Sequence, residues 1–197
     1  MEKRSLSERR RDAMKQGIYE AAVQVLTNEG LAATTMDRVA EQAGVSKGSL
    51  YNYFENKEDL LVFVYEKTVD PMDSQFDTIL ASEVAAVDKL RQTLGFVFAY
   101  LETNRGLFDF LFAENIGDKT SEPPRSRGIP RLAKIIHQGI TEGVFRSCDP
   151  TIHATLLFGA ICELCEVYVA QDEPLPVKEL VKTTLKFCLG GLQKPER

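Results

Sequence analysis

Residues 34–60 read TTMDRVAEQAGVSKGSLYNYFENKEDL. The stretch predicts two short helices joined by a tight turn, then the start of a third. Met36, Val39, Ala40 and Ala43 recur at i, i+3, i+4 and i+7, which puts them on one helical face. Thr34 or Thr35 is placed to cap that helix. Thr34 and Asp37 have capping-box spacing, with Asp where Glu or Gln is usual. Gly44 breaks the pattern where the chain needs a left-handed residue, which glycine adopts without steric cost. Val45 is set to plug the corner, and Ser46 to cap the next helix. Leu50 and Phe54, four apart, share the face turned to the core. Lys47, Gly48, Ser49, Tyr51 and Asn52 are left for another face.

Two helices joined by a short glycine turn form a helix-turn-helix, whose second helix suits the major groove of DNA. The residue types on the open face fit that use. Lys47 can reach a phosphate or a guanine edge, Asn52 can pair an adenine edge, and Ser49 can do either. Gly48 has no side chain, so N–H groups at the helix start can come close to a phosphate. The plainer alternative is a helical hairpin inside an all-α core.

The segment TTMDRVAEQAGVSKGSLYNYFENKEDLL closely resembles the DNA-binding segment of the TetR family of bacterial transcriptional regulators, most specifically in AGVSKGSLYNYF and NKEDL. The resemblance covers about residues 8–65; beyond them it rests on length, helical character and a weak local pattern, EGVFRSCDP. It implies a homodimer with a helix-turn-helix head and a ligand-responsive helical body. It also implies DNA contacts by the turn before the recognition helix, by Tyr51 and Tyr53, and by Lys57, which opens the next helix. The expected DNA-contacting set is therefore Thr34, Thr35, Ser46, Lys47, Gly48, Ser49, Tyr51, Asn52, Tyr53 and Lys57.

Composition sets the limits around that segment. The chain has 197 residues, enough for one generous domain or two modest ones, with 44% hydrophobic and 27% charged residues. The N-terminus is charged and lacks the apolar core of a signal peptide, and no uncharged apolar run has the length of a membrane helix. A cytoplasmic chain with reduced thiols and no membrane partner is expected. The net charge of −5 does not by itself favour nucleic acid. Residues 1–60 hold nine Lys or Arg against ten Asp or Glu. Residues 1–15, however, carry Lys3, Arg4, Arg9, Arg10, Arg11 and Lys15 against Glu2, Glu8 and Asp12, a basic arm that can add phosphate contacts.

The rest of the chain reads as all-α, about nine helices in total, divided into a head at 1–55 and a ligand-binding and dimerisation body at 56–197. A first helix at 8–29 has Met14, Ile18, Ala21, Ala22 and Val25 on its inner stripe and stops at Gly30. Asn56 caps a fourth helix that runs past Phe76 with a kink or break near Pro71. Helices follow at about 83–103 and 105–115; FDFLF alternates like a strand, but its neighbours favour helix. Residues 117–130, with two glycines and three prolines, read as a loop. A helix at 129–142 comes next, then a long one that Asp149 caps and Pro150 opens, and a last one that ends at Gly190 and Gly191.

No catalytic or metal-binding constellation stands out, and no cofactor or enzymatic activity is expected. Cys162 and Cys165 have C-x-x-C spacing, but inside an apolar helix they read as buried thiols. His137 and His153 form no ligand pair. The phenylalanine-rich stretch 96–112 can be plain core; the resemblance turns it toward an apolar small-molecule cavity. Its candidate walls are Phe96, Tyr100, Phe108, Phe112 and Ile136, with Tyr100 and His137 as polar contacts and a small apolar or aromatic effector as ligand. The helix at 150–170 has more apolar faces than one subunit can cover, so a homodimer is expected through Leu156, Phe158, Gly159, Ala160, Leu164, Val181, Leu185 and Cys188. Together these give a regulator, most often a repressor in this family, that binds a palindromic double-stranded DNA operator and is released by its effector. The alternative is a helical small-molecule-binding protein that does not read DNA.

Overall fold

A computed structural model describes residues 5–193; Lys3 and Arg4 of the basic arm, and Pro195, lie outside the described residues. Within them the chain forms α1 (Leu6–Glu29), α2 (Met36–Gln42), α3 (Lys47–Tyr51), α4 (Lys57–Ala81), α5 (Ala86–Thr103), α6 (Arg105–Ala113), α7 (Pro124–Thr141), α8 (Pro150–Ala170) and α9 (Val177–Leu192), with a 3₁₀ turn at Ile116–Lys119. The fold is all-α, as the periodicity predicts. By contact the chain divides into two units. The first holds the chain up to Thr68 together with Phe110–Thr120, and the second holds Val69–Asp109 and the chain from Ser121 on.

The first unit is built on α1, which starts at a full capping box. The Ser5 hydroxyl accepts from Glu8 N–H, and the Glu8 carboxylate accepts from Ser5 N–H. Ile18, Ala21, Ala22, Val25 and Leu26 of α1 bury against Met36, Val39 and Ala40 of α2, with Leu50, Phe54, Leu60 and Val64 closing the core. Arg38 on α2 bridges Glu29 at the end of α1 and Glu41 one turn on, which locks the angle between the two helices. The guanidinium holds the Glu29 carboxyl below its ordinary range, chiefly through their hydrogen bond.

In the second unit α7 packs on α8 and α5 on α9. The EGVF pattern has a clear cause there. Gly143 sits at φ +75°, and Val144 and Phe145 N–H both donate to the Gly139 carbonyl at 3.0 Å. This folds the buried Phe145 ring against Gly139, where an added Cβ would stand 2.1 Å from the ring. α5 lacks a side-chain cap of its own. Glu142, far away in sequence, accepts from Ala86 N–H at 3.1 Å, and the buried Lys89 ammonium donates to the Leu80 carbonyl at 2.7 Å. α8 is long and apolar enough to pass for a membrane span by length and composition, but Glu163 and Glu166 interrupt it and it packs on α7, α5 and α9.

Several expected boundaries move. Pro124 opens α7 within the stretch expected to be a loop, and Pro130 lies inside the helix. Proline suits a first turn, and the interior one costs a hydrogen bond that packing offsets. α4 continues through Pro71 without a break. α9 runs through Gly190 and Gly191 to Leu192, whose carbonyl accepts from Arg146 N–H at 2.8 Å. Recognition helix α3 ends at Tyr51, with Asn52 as its C-cap. Thr35, not Thr34, caps α2, accepting from Arg38 N–H; Thr34 is buried and donates its hydroxyl to the Gly30 carbonyl at 2.9 Å.

Candidate nucleic-acid interface

The turn between α2 and α3 is set by backbone hydrogen bonds. Gly44, at φ +67°, donates to the Glu41 carbonyl, and Val45 N–H donates to the Ala40 carbonyl at 3.0 Å. The Ser46 hydroxyl then accepts from Ser49 N–H at 3.1 Å and starts α3. Only Leu50 of α3 is buried, while Lys47, Gly48, Tyr51 and Asn52 are exposed and Ser49 is half-buried. A Cβ at Gly48 would face open space, so the backbone there can be approached closely. Thr35 is exposed as well, and Thr34 is withdrawn into the core.

Both lysines at helix starts have partners that are invisible in the sequence. Lys47 donates to Asp37 of α2 at 2.7 Å, a hydrogen bond that raises the ammonium pKa above its ordinary value. Lys57 is half-buried and donates to the Leu31 carbonyl at 2.8 Å, closing the turn that follows α1. The basic face of α1 lies on aromatic rings. Arg11 stacks 6.0 Å above the half-buried Tyr53 ring, and Lys15 lies 5.5 Å from the Phe54 ring and 5.1 Å from that of Phe63.

In the second unit Phe96, Tyr100 and Phe108 are gathered into one row, with ring centroids 5.7 Å and 6.1 Å apart. Phe76 of α4 extends the row by an edge contact to Phe96 at 6.0 Å. Ile136 is buried in the body core, while His137 beside it is exposed. Phe112 belongs to the first unit.

The expected dimer residues also separate. Leu156 is 67% exposed, and Gly159 and Ala160 are exposed. Phe158 is half-buried, with its ring where a Cβ on Gly128 of α7 would stand. Leu164 and Val181 are half-buried, whereas Leu185 and Cys188 face the core. Exposed apolar residues outside the expected dimer set include Ile152 and Val167 on α8, Leu175 before α9, and Phe187 on α9, the last 67% exposed. Ile152, Leu156 and Val167 share a helical stripe with Gly159. A groove of about 780 Å³ opens beside it, lined by Leu156, Leu157, Thr183, Phe187, Gly190 and Gly191, among others. Burial raises the thiol pKa of Cys165, and that of Cys188 to about 11, so both cysteines are poor nucleophiles.

Comparison with known proteins agrees with this arrangement. Residues 18–63 match the family described as bacterial regulatory proteins, tetR family. The fatty acid metabolism regulator protein of Bacillus subtilis is 23% identical over 184 residues, covering 89% of this chain and 93% of its own. The crystal structure of FadR from Bacillus subtilis in complex with stearoyl-CoA superposes with a TM-score of 0.75 at 23% identity, covering 89% of this chain and 98% of its own. The complex with triclosan of SmeT, a Stenotrophomonas maltophilia repressor of a multidrug efflux pump, superposes with a TM-score of 0.76 at 20% identity, covering 94% and 98%. With a tetR-type segment at residues 18–63 that exposes its recognition helix, and relatives that align along nearly the whole chain, this protein is a DNA-binding transcriptional regulator similar to the bacterial regulatory proteins of the tetR family.

Proposed function

We propose that the chain acts in the cytoplasm as a homodimeric repressor that binds a palindromic operator through residues 1–55 and is released by a small apolar or aromatic effector held in residues 56–197. What supports the DNA-reading face is the exposure of Lys47, Gly48, Tyr51 and Asn52 on the helix that Ser46 caps. Thr35, Ser46, Lys47 and Gly48 supply donors to phosphate, while Tyr51, Asn52 and Ser49 face base edges. Tyr53 and Lys57 are assigned to the phosphate rim. Thr34 acts through the fold alone. A two-fold dimer separates its recognition helices by about 34–36 Å or a multiple of it. The gel-shift experiment uses DNA flanking the protein's own gene. A shifted, palindromic fragment is the expected result, and uniform weak binding to all fragments would overturn operator recognition.

The aromatic row Phe96–Tyr100–Phe108 supports an apolar effector, in line with the stearoyl-CoA and triclosan held by the two structural relatives. α4 runs from Lys57 to Ala81, and the proposed shift is carried along it. The effector must bind the DNA-competent and released states with different affinity, or nothing moves. A ligand that binds by calorimetry yet leaves operator affinity unchanged at saturation would disprove the mechanism.

A further inference from the structure

Between Pro124 and Thr141, α7 carries Arg125, Arg127, Arg131 and Lys134 and no aspartate or glutamate. Two of these cations turn onto α4 within the same unit. Arg127 pairs with Asp73, and Arg131 spans Asp73 and Asp77, reaching the latter at 3.0 Å. The Arg131 guanidinium also lies 5.7 Å from the centroid of the Phe76 ring. From Phe76 the rings continue through Phe96 and Tyr100 to Phe108, each in contact with the next. The first three rings are half-buried and Phe108 is buried. A forked cationic pair thus stands at one end of a row of touching aromatic rings whose far end, Phe108, is buried.

We propose that the effector is an amphipathic anion. Its apolar body lies along Phe76, Phe96, Tyr100 and Phe108, and its carboxylate or phosphate takes Arg131 and Arg127 from Asp73 and Asp77. This rests on the ligand-responsive reading above and names the chemistry of the ligand. A guanidinium presents donors in a planar fork that matches either oxyanion. Asp77 is 66% exposed, so water solvates it readily once it is displaced. On this part of α4 only Asp70, Asp73 and Asp77 stand against the four cations of α7, so an added anion is attracted rather than repelled. Arg127 and Arg131 join α7 to α4, so the head group of the ligand acts on that tie. A neutral ligand with the same body fills the rings and leaves the tie closed.

The test titrates the full chain with dodecanoate, dodecyl phosphate and dodecanol, each below its micellar concentration. These share one tail and differ in the head. Both anions are expected to bind at least ten-fold tighter than dodecanol. Arg131→Gln should abolish that preference, with its fold checked by circular dichroism melting. Arg127→Gln should reduce the preference and serves as the second variant. Asp73→Asn should tighten both anions several-fold and leave dodecanol unchanged. A lead for dodecanoate assigns a carboxylate head, and a lead for dodecyl phosphate a phosphate head. Equal binding of dodecanol and the anions would overturn the inference while leaving an apolar effector standing. A preference that survives both arginine variants would overturn it too, as would no binding by any of the three. Gel shift without ligand reads operator recognition separately from all these outcomes.

Discussion

At the scale of single residues, the lysines at the two helix starts show how a local rule misleads. A cation at a helix N-terminus opposes the macrodipole at a typical cost of about 0.3–1 kcal/mol, and the sequence offers Lys47 no adjacent relief. The relief is Asp37, ten residues back, brought to 2.7 Å by the angle between α2 and α3. Asp37 therefore competes with any phosphate for Lys47. Lys47→Ala is expected to weaken operator binding and lower the slope of log K against log salt by about one on all sequences alike. Asp37→Asn is expected to tighten binding with the same salt signature reversed. Titrations at several salt concentrations check both, and unchanged affinity in both would make the pair an ordinary surface contact. Lys57 should behave differently. Its bond to the Leu31 carbonyl is half-buried, so Lys57→Ala is expected to destabilise the head by ~1 kcal/mol, read by thermal melting. Asn52 and Tyr51 substitutions should instead change which operator sequences bind.

At the scale of elements, two ties set how helices meet. Arg38 lowers the Glu29 carboxyl pKa, so the folded state holds that proton less tightly than the unfolded chain does. Its contribution is then full above the ordinary value of 4.5 and is lost as pH falls through the lowered folded value. The melting temperature of the native chain should exceed that of Glu29→Gln near neutral pH, and the gap should close in acid. A gap that widens in acid would contradict the tie. In the second unit the Gly139–Phe145 contact leaves no room for a methyl group. Gly139→Ala is expected to cost about 1–3 kcal/mol through overpacking, despite the better helix propensity of alanine. Denaturant midpoints decide between the two effects. The phenylalanine-rich stretch makes the same point at element scale. Its helical spacing was legible, but its ring-to-ring row and the arginine beside Phe76 depend on α4 and α7, which no local pattern joins.

At the scale of the whole molecule, a dimer is expected through the exposed stripe of α8 and the face of α9. Leu156→Arg and Phe187→Arg should each give a folded monomer by light scattering, because both side chains are two-thirds exposed. Leu185→Arg should unfold the chain, since Leu185 is buried. A wild-type protein that scatters as a monomer at micromolar concentration would end the dimer proposal. The sequence by itself determined the helical class, the helix-turn-helix with its turn at Gly44, the Ser46 cap of α3 and the Asp149 cap of α8, since each is fixed by residues a few positions apart. Only the tertiary structure decided which threonine caps α2, which face of α9 is open, and that α7 begins inside a proline-rich stretch. It alone paired Lys47 with Asp37 and Arg131 with Asp73 and Asp77. Hydrogen bonding and periodicity within a helix act over one or two turns, whereas burial and ion pairing depend on which helices come to lie side by side. That neighbourhood is a property of the folded chain as a whole.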